Sequence, residues 1–222
     1  MTDRAVEVVA FDVNETMVDM AGLRPAFADV GLAPDLVPLW FARVLRDGFA
    51  LTALGAYRPF PDVAAEALRG LAPEVVDDAA VTAVLTAFGC LDPHPDVGPA
   101  LDLLRQAGIT AITLTNGSSD LVGALLSRAG LDGYVTANLS VDAVHRWKPA
   151  PEPYRYAAHH TRVAPERMAL IACHAWDCAG AARAGLRTGW VPRSEPRWPD
   201  TFEAPDVSGS DLPAVVREIL RL

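Results

Sequence analysis

The stretch VEVVAFDVNET, from Val6 to Thr16, joins an apolar run of strand length to a short polar segment. The run VEVVAF predicts a buried β-strand, because its length and composition suit a strand better than a helix. Asp12 directly follows this strand, and Asn14, Glu15 and Thr16 come within the next turn of chain. The pattern therefore predicts a carboxylate at the carboxyl end of a buried strand.

Strand and helix patterns alternate through the second half of the chain. Further strands are predicted at Ile109–Thr115, Tyr134–Leu139, Met168–Cys173 and, as the last strand, Arg187–Val191. Helices are predicted at Val97–Ala107, from Asn116-Gly117-Ser118 through Arg128, and at Glu152–His160, Asp177–Ala184 and Leu212–Leu220. Such alternation is typical of a parallel sheet covered on both faces. The sequence therefore predicts an α/β fold with a Rossmann-like parallel sheet as its core.

A helical block interrupts this alternation directly after the first strand. Apolar residues recur at helical spacing in Asp35–Leu54, Asp62–Leu71 and Asp78–Phe88, and the breaker-rich segment Asp92–Pro99 follows. We interpret the block as a helical cap domain inserted after the first strand. The predicted division is a core of residues 1–17 and 95–222 and a cap of residues 18–94.

Composition excludes several classes of function. A net charge of -9 in 222 residues argues against nucleic acid and anionic membranes as partners. The sequence has no apolar run of the roughly 18 residues that a membrane span needs, and MTDRAVEVVAFDV lacks the pattern of a signal peptide. Three cysteines without framework spacing suit reduced thiols. We therefore expect a cytoplasmic protein.

Polar side chains collect at the predicted strand ends. They lie in four segments, Asp12–Thr16, Thr115–Gly117, Lys148–Pro149 and His174–Asp177. Each segment alone is more often a turn, a helix cap or a solvated charge than a functional site. In an open parallel sheet, however, ligands bind beyond the carboxyl ends of the strands, so the four segments together predict one site.

The residue types suit covalent catalysis. Asp12 is ionised at neutral pH and needs no general base to attack carbon. Lys148, the sole lysine beside 18 arginines, supplies a compact positive charge for that carboxylate. Asp177 either anchors Lys148 or orients a water molecule. Neutral donors for an anionic substrate are predicted at Thr16, Thr115 and Asn116.

These segments resemble the motifs of the haloacid dehalogenase superfamily, and specifically its L-specific 2-haloacid dehalogenase branch. FDVNETMVD resembles the nucleophile motif, LTNGS the second motif, SVDAVHRWKPAPEPY the lysine motif, and HAWDCAGAARAGL the acidic motif. LWFARVLRDGFALTALGAYRPF resembles the first cap helices of that branch. The resemblance covers nearly the whole chain.

The resemblance implies hydrolytic dehalogenation of a small 2-haloacid without metal or cofactor, by a homodimer. The nucleophile displaces halide from C2 with inversion, and water then attacks the carboxyl carbon of the ester and releases a 2-hydroxy acid. Phosphatases of the superfamily usually carry a second aspartate where this chain has Asn14. Their magnesium also needs an acid where this chain has Cys173, which is a poor ligand for a hard cation.

Three positions depart from the dehalogenase pattern. The arginine that usually follows Trp40 and receives the halide is replaced by Phe41, and the nearest arginine is Arg43, which a helix does not automatically turn toward the site. Ala172 and His174 stand where the branch usually has serine and asparagine. We expect His174 to act as a halide or carboxylate donor or as a base for the hydrolytic water, and a purely structural role is the alternative.

Further residues are predicted to contact substrate around this site. An aromatic wall, predicted to consist of Phe41, Phe60, Tyr154 and Trp176, would exclude water from the reacting carbon. The predicted substrate-binding residues are Val13, Asn14, Phe41, Arg43, Phe60, Thr115, Asn116, Tyr154 and Trp176. The catalytic residues are Asp12, Thr16, Lys148, His174 and Asp177.

Three alternatives to dehalogenation stay open at this stage. The same scaffold suits a hydrolase that opens a strained carbon–nitrogen ring, or one that cleaves a phosphate ester. A degenerate member that only binds small acids is the third.

Overall fold

Six parallel strands form one sheet in the computed structural model, which describes residues 6–193 and 195–222. The strands are β1 (Val8–Phe11), β2 (Thr110–Thr115), β3 (Val135–Ser140), β4 (Met168–Ala172), β5 (Arg187–Trp190) and β6 (Val207–Ser208), in the order β3-β2-β1-β4-β5-β6. The predicted α/β fold with a Rossmann-like sheet is confirmed. Residues 1–5 of the predicted core lie outside the described residues.

Helices follow the strands in the predicted alternation. The α-helices of the described residues are α1 (Arg24–Asp29), α2 (Val37–Ala53), α3 (Phe60–Arg69), α4 (Asp78–Phe88), α5 (Val97–Ala107), α6 (Ser119–Arg128), α7 (Pro151–Thr161), α8 (Ala175–Arg183) and α9 (Leu212–Ile219). Short 3-10 helices lie at Met20–Leu23, Pro34–Leu36, Asp132–Tyr134, Val141–Ala143 and Pro165–Arg167. Helix α5 ends as predicted at Gly108, whose left-handed backbone (φ 68°) suits glycine.

Two parts of the sequence prediction need correction. Arg187–Val191 is not the last strand, because β6 pairs with β5 beyond it. Two residues are too few for a periodic pattern, so the sequence gives no signal for this strand. Helix α1 was also not predicted, since its six residues complete less than two turns.

Apolar side chains cover both faces of the sheet. Along β1, Val9 and Phe11 pack in the cluster that includes α5, α9 and the helices α1–α4, whereas Val8 and Ala10 pack in the cluster beneath α7 and α8. This alternation is expected of a strand that is buried on both faces. The sheet is thus a rigid base whose strand tips keep fixed positions.

Five α-helices, α1–α5, lie between β1 and β2 along the chain, and the first four pack together. Helix α2 packs against α3, α3 against α4, and α4 against α1. The division into a core of residues 1–17 and 95–222 and a cap of residues 18–94 stays a prediction. None of the helices in the described ranges 6–193 and 195–222 is long and apolar enough to cross a membrane.

Candidate active site

Lys148 lies at the centre of the buried polar cluster at the strand tips. Its Nζ donates to Asp12 Oδ1 at 2.9 Å, to Asp177 Oδ2 at 2.6 Å and to the Leu114 carbonyl at 2.8 Å. An ammonium has three protons, so these three acceptors satisfy it completely. The side chain is fully buried, and the two carboxylates offset the cost of burying its charge.

Asp12 follows β1 as the sequence predicted, and each of its two carboxylate oxygens has partners. Oδ1 accepts from Lys148, and Oδ2 accepts from the Thr16 hydroxyl at 2.7 Å. That hydroxyl in turn accepts from the Cys173 amide at 3.0 Å, at the end of β4. Thr16 therefore connects the nucleophile candidate to a neighbouring strand and fixes its orientation.

Asp177 lies in the first turn of α8, whose N-cap residue is His174. The ordinary explanation for an aspartate at the start of a helix therefore does not apply to it. Its Oδ1 accepts from the Tyr154 hydroxyl at 2.6 Å, while its Oδ2 faces Lys148. Of the two roles predicted for Asp177, this geometry fits the anchor of Lys148.

Tyr154 differs from its predicted place in the aromatic wall. Its ring is fully buried in the apolar cluster beneath α7 and α8, and only its hydroxyl reaches the polar cluster. The side chain therefore holds Asp177 in place through this hydrogen bond and does not line the site. A buried tyrosine needs a hydrogen-bond partner, which explains why the ring comes to this carboxylate.

Asn116 contacts the main chain of Lys148, and its role as a donor to substrate stays a prediction. Its side-chain oxygen accepts from the Lys148 amide at 2.8 Å, and its side-chain nitrogen lies 3.4 Å from the Lys148 carbonyl. Asn116 thus holds the main chain of the lysine. Thr115 accepts from the Gly117 amide at 2.9 Å, and it lines a cavity of about 30 Å³ together with Val13 and Asn14.

His174 joins two carboxylates at the start of α8. Nδ1 lies 3.3 Å from Asp12 Oδ2, and Nε2 lies 2.7 Å from Glu15 Oε2. Glu15 has a left-handed backbone (φ 60°), which is uncommon for a residue with a side chain. The sequence predicted a polar role for His174 but gave no sign that Glu15 is its partner.

Aromatic rings enclose His174 on the side of the helical block. Trp176 stacks on it with ring centroids 5.0 Å apart, and Phe41 lies at 6.3 Å. Phe49 of α2 packs edge-on against Trp176 at 4.9 Å. Of the residues predicted for the wall, Phe41 and Trp176 therefore lie beside His174, and Phe49, which the sequence did not single out, packs on Trp176.

Two predicted substrate-binding residues lie apart from these polar groups. Arg43 Nη1 donates to the Gly70 carbonyl at the end of α3, 2.9 Å away. Its position on α2 directs it there, so the structure does not bring Arg43 to the site. Phe60 is buried between Phe88 and Trp147 as a core aromatic.

Burial and charge shift the pKa values of the buried groups in opposite directions. Burial raises the pKa of Asp12, but Lys148 and His174 outweigh it and hold that pKa below its usual range. Burial and the nearby Asp12 charge raise the pKa of Asp177. Burial lowers the pKa of Lys148, but its two carboxylates outweigh burial and raise it. Of the two carboxylates that Lys148 contacts, Asp12 is thus the one held in its charged form.

The pKa of His174 is also displaced. Burial lowers it, but contacts with Cys173, Asp12 and Glu15 outweigh burial and raise it well above the ordinary 6.5. Burial raises the pKa of the neighbouring Cys173 thiol. In the absence of other ligands, the geometry favours an imidazolium between two carboxylates.

A sequence profile of the haloacid dehalogenase-like hydrolases matches residues 6–185. The match extends from the first strand through Asp177 and the whole of α8. The chain belongs to this family. The resemblance of its motifs is therefore confirmed, and the chain is a hydrolase of this α/β fold.

Relatives within the family include named dehalogenases. The chain is 29% identical over 196 residues to (S)-2-haloacid dehalogenase 1 from Pseudomonas sp. (strain CBS-3), with 85% of each chain covered. It is 25% identical over 221 residues to haloacetate dehalogenase H-2 from Moraxella sp. (strain B), covering 97% of this chain and 99% of that one. A dehalogenase crystallised with an intermediate complex superposes with a TM-score of 0.88 at 25% identity, with 98% of each chain covered.

Proposed function

We propose that this haloacid dehalogenase-like hydrolase cleaves the carbon–halogen bond of a small 2-haloacid through an ester of Asp12. The observation that carries the proposal is the contact of Lys148 Nζ with both Asp12 and Asp177. The named dehalogenases among its relatives support the substrate class.

The first step forms the ester. An oxygen of Asp12 attacks C2 of the substrate with its electron pair, and the carbon–halogen bond breaks as halide leaves. Thr16 and Lys148 fix the carboxylate, so that it attacks in one orientation and loses little entropy in doing so. The rings of Phe41 and Trp176 exclude bulk water from the reacting carbon.

The second step regenerates Asp12. Water adds to the carboxyl carbon of the ester, the bond from that carbon to the ester oxygen breaks, and a 2-hydroxy acid leaves with one oxygen of Asp12. A proton is released to solvent, so that water is the only co-reactant. Lys148 stabilises the negative charge that develops on the carboxyl oxygen, because it already donates to that group in the resting site.

We assign His174 to the anionic groups of the substrate. Its imidazole lies next to Asp12, and Phe41 packs beside it where the usual arginine is missing. A cavity of about 440 Å³ reaches Glu15 and Phe41 and is lined by Arg24 and Arg193. Its size suits a small acid, and we propose it as the path of substrate toward Asp12.

Oxygen labelling tests the ester. After many turnovers in heavy-oxygen water, mass spectrometry should find label in the peptide that contains Asp12. The Asp12→Asn variant should release halide at least about 10⁴-fold more slowly, because it lacks the nucleophile. Halide release by Asp12→Asn at the parent rate would disprove the mechanism.

A phosphatase on the same scaffold is the rival function. It is disfavoured because Asn14 and Cys173 replace two acids that it needs. Incubation with 2-chloropropionate in the presence of chelator separates the two, since halide release supports dehalogenation. Activity confined to phosphate esters with magnesium would support the rival, and activity confined to strained carbon–nitrogen rings would support the ring-opening hydrolase.

We also propose a cytoplasmic homodimer. The described cysteines form no disulfide, which suits a reducing compartment. The helical block exposes Leu39, Leu54 and Val75, which would suit a contact between subunits. Light scattering of the purified protein and cell fractionation test the two statements.

A further inference from the structure

Three metal-binding side chains of different chemistry meet beside the proposed nucleophile. The Asp12 carboxylate, the Cys173 thiol and the His174 Nδ1 present ligand atoms that all lie within 4.8 Å of one another. Asp12 follows β1, whereas Cys173 and His174 follow β4, the adjacent strand. The rigid parallel pairing of these strands therefore fixes the cluster.

The spacing of the ligand atoms matches one tetrahedral ion. Cys173 Sγ and His174 Nδ1 are 3.6 Å apart, and His174 Nδ1 and Asp12 Oδ2 are 3.3 Å apart. At the usual zinc bond lengths, sulfur and nitrogen ligands of a tetrahedral Zn²⁺ stand about 3.6 Å apart, and nitrogen and oxygen ligands about 3.3 Å apart. We propose that Asp12, Cys173 and His174 form a binding site for Zn²⁺, with a fourth position left for water.

Glu15 supports this assignment independently. Its Oε2 lies 2.7 Å from His174 Nε2, on the far side of the ring from the ligand atoms. A carboxylate in this position accepts a hydrogen bond from Nε2 and keeps the proton there, so that Nδ1 is the nitrogen that gives up its proton and binds the metal. The same arrangement of carboxylate, histidine and metal recurs in zinc proteins.

The charge around the cluster also suits a dication. Asp12, Glu15 and Asp177 bring three carboxylates, against the single ammonium of Lys148. Lys148 occupies Oδ1 of Asp12, whereas the cluster uses Oδ2. On binding, Zn²⁺ accepts electron pairs from oxygen, sulfur and nitrogen, and the protons of the thiol and of Nδ1 pass to water.

The consequence for activity is inhibition. Zn²⁺ holds the Asp12 oxygen whose electron pair would attack carbon, so that the bound form does not turn over. Magnesium should have no such effect, because it prefers oxygen ligands in octahedral geometry to sulfur and nitrogen. Metal binding is independent of the proposed dehalogenation, and only the inhibition rests on it.

Metal titration of the purified full-length chain tests the site. The exposed Cys90 is first replaced by serine, so that it does not bind the metal itself. Competition with a chromophoric chelator should give one Zn²⁺ per chain, and Co²⁺ should give the charge-transfer absorption of a thiolate ligand. Zn²⁺ should abolish halide release, whereas Mg²⁺ should leave it unchanged.

Two matched variants identify the sulfur. Cys173→Ser should raise the Kd for Zn²⁺ at least tenfold and remove the thiolate absorption with Co²⁺. Cys178→Ser should change neither, because Cys178 lies on the other face of the sheet with its sulfur 3.6 Å from the Gly189 carbonyl. Circular dichroism checks that both variants fold. If Cys173→Ser does not fold, Cys173→Ala replaces it.

Glu15→Gln tests the supporting carboxylate and should weaken Zn²⁺ binding by about 10- to 100-fold. The proposal is overturned if no Zn²⁺ binds, if Co²⁺ shows no thiolate absorption, or if Cys173→Ser binds Zn²⁺ as tightly as the parent. Inhibition by Zn²⁺ that persists in Cys173→Ser would locate the ion elsewhere and would also overturn it. If the protein proves not to be a dehalogenase, the chelator competition and the Co²⁺ spectra still test the metal site.

Discussion

The strand tips and the helical block that faces them carry opposite kinds of side chain. At the tips, Asp12, Lys148 and Asp177 are buried with all their charges paired. In the block, Phe41 and Phe49 turn aromatic rings toward the same place, while Arg43 is bound to the main chain of α3. We infer that the sheet supplies the reactive charge and the block supplies the apolar cover.

The largest effect is expected where the charges of the strand tips depend on one ammonium. Lys148→Met leaves Asp12 and Asp177 buried without it, so we expect the free energy of unfolding to fall by about 3–5 kcal/mol. Turnover should also be lost. Urea unfolding and halide release measure the two effects.

Lys148→Arg separates the charge of the lysine from its geometry. It keeps the positive charge, but the wide guanidinium does not fit three acceptors arranged around one nitrogen. Unfolding of Lys148→Met at the same urea concentration as the parent would contradict the paired arrangement.

The next effect concerns the contact between the two regions. Gly48 of α2 packs against the Trp147 ring, and a Cβ at this position would lie 2.3 Å from a ring carbon. The alanine of Gly48→Ala gains up to about 1 kcal/mol of helix propensity, but the overlap should cost about 1–3 kcal/mol. Because Trp147 directly precedes Lys148, we expect both stability and turnover to fall.

Gly133→Ala is the control for Gly48→Ala. An added Cβ there meets no atom within 4 Å, so unfolding and turnover should match the parent. If Gly48→Ala also matches the parent, the tight contact between α2 and the lysine segment is not maintained in solution.

A more local effect, on catalysis alone, is expected at His174, which lies between Asp12 and Phe41 of the helical block. His174→Gln removes the positive charge beside Asp12, and a hydrogen bond to a charged group contributes about 1.5–3 kcal/mol. We therefore expect kcat/KM for a 2-haloacid to fall by about 10- to 100-fold. Steady-state kinetics of parent and variant measure this ratio, and equal values would leave His174 with a structural role.

The comparison also shows which parts of the site a sequence can predict. Parallel strands end at one edge of the sheet, so the residues after β1, β2 and β4 were expected to meet, and Asp12, Thr16, Asp177 and His174 lie together. Lys148 joins them from the segment before α7.

Partners that carry no sequence signal could not be predicted. The Leu114 carbonyl binds Lys148 through the main chain, and the main chain has the same acceptor at every residue. The pairing of Glu15 with His174 depends on a left-handed backbone, and the direction of Asn116 depends on the path of the lysine segment. Each of these is a property of the folded chain.

The smallest effect is expected for the arginine of the helical block. Arg43 lies on α2 two residues beyond Phe41, and 200° of helical rotation turn it toward Gly70 instead of His174. Arg43→Gln should therefore change kcat/KM less than about threefold and lower the free energy of unfolding by about 0.5–1.5 kcal/mol, the value of one hydrogen bond. A loss of tenfold or more in kcat/KM would show that α2 turns during turnover and delivers Arg43 to substrate. In that case the block would supply charge as well as cover, and the division of labour between the two regions would have to be abandoned.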